Sequence, residues 1–212
     1  MREAVETEDF PVLICGIMGP QGDAYNPEKI LTAEEAEEYH SFQMEVLANA
    51  GVDFICPISL SYSAEAIGMC RAASKLKIPI AITFCVETDG TLPCGEPLKE
   101  AIEKVDAEPH KPAYFQLSCS HFDHFMPSIN EGIKANEDWV KRIRGFRTNP
   151  SPLSHAELDN CTELQSGNPI EFGRQTGQLK KRMPWVKVVG GCCGSNEKHV
   201  EQIVTTLQTL RP

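Results

Sequence analysis

Six short apolar runs, separated by stretches of helical periodicity, limit what this chain can fold into. They cover residues 12–18, 53–60, 79–86, 113–119, 143–147 and 186–190. Their hydrophobicity is nearly continuous rather than alternating, as expected of strands covered on both faces. Parallel strands joined by crossover helices are covered in that way.

The helix signals between the runs have a physical basis. Thr32 followed three residues later by Glu35 forms a capping box, and Gly51 closes that helix after Ala50. Ser63 is positioned to cap the next helix, which passes Ile67 and Cys70 towards Leu76 before Pro79 stops it. Ser195 or Asn196 opens the last helix, where Val200, Ile203, Val204 and Leu207 form one apolar stripe. The segment Asn149–Gly173, rich in Pro, Ser, Asn and Gly, predicts a long loop with helical turns. No linker, repeat or low-complexity tract divides the 212 residues. The expectation is one domain of about six βα units. It fits either an open doubly wound sheet or part of an eight-stranded (β/α) barrel.

Composition removes several function classes. A net charge of −10 argues against nucleic acid as a partner. No apolar run reaches bilayer length, so no membrane association is expected. The start, Met1 to Asp9, has neither the apolar core of a secretion signal nor the Arg-rich character of a transit peptide. A cytoplasmic location is the expectation, with the nine cysteines kept as thiols. Cys15, Cys56, Cys70 and Cys85 sit among apolar residues and read as small buried hydrophobes.

Cys192 and Cys193 do not fit that reading. They lie between the last apolar run and the last helix, boxed in by Gly190, Gly191 and Gly194. Adjacent cysteines bridge each other poorly. A strand end that runs into a helix N-terminus is where α/β proteins place active sites, and the helix dipole there favours thiolate. Cys119 ends another run and supplies a third sulfur. Three thiolates from distant strand ends would bind Zn²⁺ and leave its fourth position open, the pattern of a catalytic zinc. His121 and His124, just after Cys119, are rival ligands, with a supporting or substrate contact favoured for His124. Gly16–Gly22 lacks the Gly-Lys-Ser/Thr ending of a phosphate loop and reads as a βα turn at the mouth of the site. Glu87 and Asp123 are candidates to steer a cationic substrate.

The segment Gly190-Gly-Cys-Cys-Gly-Ser195 resembles the zinc signature of the homocysteine S-methyltransferase family. Gly16-Ile-Met-Gly-Pro-Gln-Gly-Asp-Ala-Tyr25, His40-Ser-Phe-Gln43, Ala50-Gly-Val-Asp53, the stretch Thr83–Leu98 and Asn149-Pro150 resemble other segments of that family, in the same order. The resemblance implies a (β/α)8 TIM barrel, here a single homocysteine-binding domain over residues 1–212, with Zn²⁺ held by Cys119, Cys192 and Cys193. It also implies methyl transfer from a sulfonium or ammonium donor to the thiol of homocysteine, giving methionine. Gly19, Asn149 and His124 are the expected substrate contacts. Both substrates are small molecules, and a homo-oligomer is compatible with the reading.

Two departures stand out. The family's first strand carries an Asp-Gly pair with no counterpart here, and residues 1–9 read as the end of a second helix. About a quarter of an eight-unit barrel is therefore expected to be missing, through a fragment, a shortened reading frame or a covering partner. In the second run Ile58 stands where the family has a Glu for the homocysteine amino group, and Ser118 replaces an Asn before the upstream cysteine. These departures motivate the alternative expectation of a catalytically inactive zinc-binding barrel remnant with a regulatory or binding role.

Overall fold

A computed structural model gives the fold of residues 6–210. All six apolar runs contain strands: β1 (Cys15–Met18), β2 (Phe54–Pro57), β3 (Ala81–Phe84), β4 (Tyr114–Ser118), β5 (Ile143–Thr148) and β6 (Val188–Gly191). Eight helices are described among them: α1 (Ala33–Asn49), α2 (Ser63–Leu76), α3 (Leu98–Ala107), α4 (Phe122–Lys134), α5 (Trp139–Arg142), α6 (His155–Asp159), α7 (Pro169–Arg182) and α8 (Glu197–Gln208). Every strand pairing is parallel. β1 pairs with β2, and β3 to β6 pair in sequence order. Parallel bridges Ile55–Ile80 and Leu60–Phe84 lay β2 alongside β3, so the strands follow chain order, as in a (β/α) barrel and not a doubly wound sheet. Among the described residues β1 and β6 do not pair with each other.

The caps follow the sequence, with one correction. Glu35 N donates to Thr32 Oγ1 at 3.2 Å and Thr32 N donates back to Glu35 Oε2 at 2.8 Å, the reciprocal bonds of a capping box. Asn196 caps α8 by accepting from Lys198 N at 3.1 Å. Ser63, expected as a cap, is instead the first residue of α2, and Tyr62 takes the cap position without a side-chain bond. The reason is Glu96, whose carboxylate accepts from both Ser63 N and Ser63 Oγ at 2.9 and 2.8 Å. The helical ending expected over residues 1–9 falls for residues 1–5 outside the described residues. From Thr7 to Phe10 the chain makes a turn closed by mutual backbone bonds of 3.1 Å.

The core lies between the sheet and its helices. Phe84 and Phe115 stack at 6.0 Å, and Phe125 packs on Phe146 at 5.3 Å. Alternation along each strand sends Ile55, Ile82, Phe84, Phe115, Leu117 and Phe146 outward to this layer. It turns Cys56, Thr83, Gln116 and Arg147 the other way, onto the concave face. Between α1 and α2, His40 Nε2 meets Glu65 Oε1 at 2.9 Å with both side chains buried. The same oxygen accepts from Gln21 N at 2.7 Å, which fastens the loop after β1 to the helices. No helix among the described residues is long and apolar enough to cross a membrane.

Phe125 is fully buried in this layer. Phe125→Ala is expected to lower the unfolding free energy by about 3–5 kcal/mol, read as a lower urea midpoint at unchanged slope.

Candidate metal centre

The ends of β4 and β6 bring the three sulfurs together. Cys119, Cys192 and Cys193 place their Sγ atoms within 4.8 Å of one another, and the Cys119 and Cys192 sulfurs are 2.7 Å apart. Among the described residues no other set of metal-ligating side chains converges in this way. β5 lies between the two strands and fixes the approach. Cys119 N donates to Arg147 O at 3.1 Å, and Cys192 N donates to Thr148 O, the next carbonyl along, at 2.8 Å.

The local backbone is bent to suit. Cys119 and Ser59, at the ends of β4 and β2, both have left-handed φ values, 53° and 57°. Non-glycine residues rarely adopt this conformation, which collects at functional sites. Ser59 Oγ then donates to Cys119 Sγ at 3.3 Å. Gly194 is required after the pair: its φ is +84° and a Cβ there would come within 2.5 Å of Gln165 O. Ser195 Oγ holds Cys192 O at 2.6 Å as the chain turns into α8.

Hydrogen bonds from Cys192 and Cys193, then from Ser59 and Tyr25, outweigh burial and hold the Cys119 thiol far below the ordinary thiol range. Cys192 and Cys193 are pushed up, first by their bonds to Cys119. A divalent cation bound among the three sulfurs would displace their protons. Zinc–sulfur bonds of about 2.3 Å at tetrahedral angles separate sulfurs by about 3.8 Å. The three-sulfur donor set suits such an ion, and the Cys119 and Cys192 sulfurs, 2.7 Å apart, would have to separate to hold it.

The loop predicted as irregular contributes to the centre. Ser154 and Glu157 form a capping box that starts the five-residue helix α6, and this places His155 behind the cluster. His155 Nε2 lies 2.6 Å from Cys119 O, and Nδ1 lies 2.7 Å from Glu87 Oε1. The ring thus bridges the Cys119 carbonyl and the Glu87 carboxylate. Tyr25 stacks on His155 with ring centroids 4.0 Å apart. Glu87 is held by a tight turn in which Thr91 O accepts from Glu87 N at 2.8 Å. Hydrogen bonds from Thr91 hold the carboxyl of Asp89 in that turn below the usual carboxylate range.

A cavity of about 900 Å³ opens beside the cluster, lined in part by Tyr25, Glu87, Asn149, His155 and Cys193. Asn149 is buried, its N donates to Ser120 O at 3.0 Å, and its Oδ1 has no partner. His124 is buried beneath the loop, with Nε2 2.9 Å from Pro152 O, and does not line the cavity. Gly19 is exposed after β1 with open space around it. His121 caps α4, its Nδ1 accepting from Asp123 N at 3.2 Å, and stands apart from the sulfur cluster. Asp123 is exposed. Tyr25, Ser59 and His155 were not singled out from the sequence. The Ser154-His-Ala-Glu157 capping pattern was the one signal available for His155.

The sequence model of the family described as homocysteine S-methyltransferase matches residues 1–207. The chain belongs to that family. Among curated relatives, rat betaine–homocysteine S-methyltransferase 1 is 24% identical over 210 residues, covering 90% of this chain and 49% of the relative. The mouse protein of the same name is 24% identical over 206 residues with the same coverages. The chain therefore spans about half the length of the curated relatives it matches. Among solved structures, the metallated homocysteine methyltransferase MmuM from Escherichia coli superposes with a TM-score of 0.71 at 15% identity, over 95% of this chain and 64% of that one. Its apo form gives 0.68 at 14% identity, over 96% and 66%. These likenesses establish the barrel-type fold of this family member.

Removing one ligand of a three-sulfur site opens it. Cys193→Ala is expected to lose bound zinc while Cys94→Ala, outside the cluster, retains it, as read by metal analysis after gel filtration. His155→Ala is expected to weaken zinc about 10–100-fold in a competitive chelator titration, with His155→Gln closer to wild type.

Proposed function

We propose that this chain is the zinc-holding part of a thiol S-methyltransferase that accepts homocysteine and takes a methyl group from a sulfonium or ammonium donor, giving methionine. The observation that carries the reading is the meeting of Cys119, Cys192 and Cys193 beside a cavity able to hold two small molecules. Residues 1–212 act in this reading as a single homocysteine-binding domain. Cys119, Cys192 and Cys193 would hold the metal. Bound there, Zn²⁺ supplies Lewis acidity that lowers the pKa of an incoming thiol and so favours thiolate at neutral pH.

The chain's own residues prepare and shape the site. Ser59 donates to the Cys119 sulfur, and His155, braced by Glu87 and Tyr25, fixes the Cys119 carbonyl. A sulfur attacking in line gains most when acceptor and donor are held in one orientation. Asn149 offers an unsatisfied buried oxygen beside the cavity, suited to an N–H of the amino-acid acceptor. Glu87, on the cavity wall, adds negative charge that favours a cationic donor. Gly19 and His124 contribute through the loops they belong to, after β1 and beside Pro152.

Ile58 in place of the family Glu favours a second reading, a zinc-binding barrel without turnover. The two readings separate in one experiment. Zinc-loaded chain is mixed with homocysteine and, in turn, S-methylmethionine, S-adenosylmethionine and betaine, and methionine is measured. Methionine formation that is lost in Cys193→Ala supports the transferase. Zinc retention without product from any of the three donors, together with no rise in melting temperature on adding homocysteine, supports the inactive barrel. In the transferase reading, homocysteine at about 100 times its Kd raises stability by about 2.7 kcal/mol.

A further inference from the structure

Cys56 lies below the metal cluster on the concave face of the sheet, in surroundings unlike those of a buried hydrophobe. Gln116 Nε2 donates to its sulfur at 3.2 Å, and Thr83 Oγ1 stands 3.3 Å away. Cys15 on the neighbouring strand hydrogen-bonds it, and Arg147 adds positive charge. Five consecutive strands contribute these groups. Cys15, Cys56, Gln116 and Arg147 line one cavity of about 500 Å³, which none of the three clustered cysteines touches. Gly145 makes the space for Gln116, since a Cβ there would fall 2.5 Å from Gln116 Cγ. Gln116 is 3% exposed and its Oε1 has no partner.

We propose that Cys56 is a peroxide-sensitive site separate from the metal centre, oxidised to a sulfenic acid that Gln116 holds in the concave cavity. The Cys56 thiolate attacks one oxygen of hydrogen peroxide. A sulfur–oxygen bond forms, the oxygen–oxygen bond breaks and hydroxide leaves, so that sulfur is oxidised by two electrons and the peroxide reduced. The new S–O–H group has an acceptor waiting in Gln116 Oε1. Cys15 is the resolving thiol: its condensation with the sulfenic acid forms a disulfide and releases water.

The environment favours Cys56 over its equally buried counterpart. The bond from Cys15, supported by Thr83, Arg147 and Gln116, outweighs burial and holds Cys56 at about 7. Burial pushes Cys70 up to about 12. The other groups facing the cavity are Tyr114, pushed up to about 12 chiefly by burial, and Asp53, whose carboxylate accepts from Ile14 N at 2.5 Å. Cys56 therefore carries a much larger thiolate fraction than Cys70 at neutral pH. Lower nucleophilicity of the more acidic thiol offsets part of this and leaves on the order of a hundredfold.

The test treats zinc-loaded full chain with limiting hydrogen peroxide and the sulfenic-acid trap dimedone, and reads each cysteine by peptide mass spectrometry. A Cys56 adduct or a Cys15–Cys56 cross-link is expected to form on the order of a hundredfold faster than the Cys70 adduct, with a half-maximal rate near pH 7. Thr83→Val and Gln116→Leu are each expected to slow it about threefold or more at unchanged zinc content. Reaction at Cys56 no faster than at Cys70, or a midpoint above about pH 8.5, overturns the proposal, as do unchanged rates in both variants. If neither variant folds, the wild-type ratio and pH profile decide alone.

Discussion

Two backbone hydrogen bonds to adjacent carbonyls of β5 hold the three-sulfur cluster together. Arg147 O takes the amide of Cys119, and Thr148 O takes the amide of Cys192. Because β5 lies between β4 and β6 in a parallel row, these bonds set two strand ends side by side and at one height. Residues 73 positions apart thereby bring their sulfurs to 2.7 Å. A slip of one residue in either ladder would turn the cysteine to the other face of the sheet. The centre is therefore a consequence of strand register more than of local loop chemistry.

The same register sorts the other cysteines. Cys70 lies on a helix inside the apolar layer and is pushed up by burial. Cys85 is likewise buried and raised. Cys56 lies on a strand and faces the concave side, where Thr83, Gln116 and Arg147 surround it. Cysteines that look alike in an apolar sequence context thus end in different surroundings, Cys70 inside the apolar layer and Cys56 on the polar concave face.

Support for the sulfur cluster is spread along the chain. Tyr25 comes from the loop after β1, Ser59 from the end of β2, Glu87 from the turn after β3 and His155 from the short helix after β5. Each sits at the C-terminal end of a parallel strand or just beyond it, where loops converge in a (β/α) arrangement. The buried His40–Glu65 pair and the Gln21 amide anchor the first of these loops to the helices. The strained φ values of Ser59 and Cys119 are tolerated because the ladder on both sides over-determines the backbone there.

The sequence by itself determined the number and parallel character of the strands, because near-continuous apolar runs between capped helices admit few other arrangements. It also determined the three sulfurs, since a Gly-boxed cysteine pair and a strand-end cysteine have little use as packing groups. Tertiary structure alone decided which partners complete the centre. Ser59 depends on a left-handed backbone, Tyr25 and His155 on a stacking contact between loops 130 residues apart in sequence, and Ser63 gave up its cap for the Glu96 carboxylate. Apart from the Ser154–Glu157 capping box beside His155, none of these leaves a local pattern, because each is a contact between segments whose separation is fixed only once the sheet has formed.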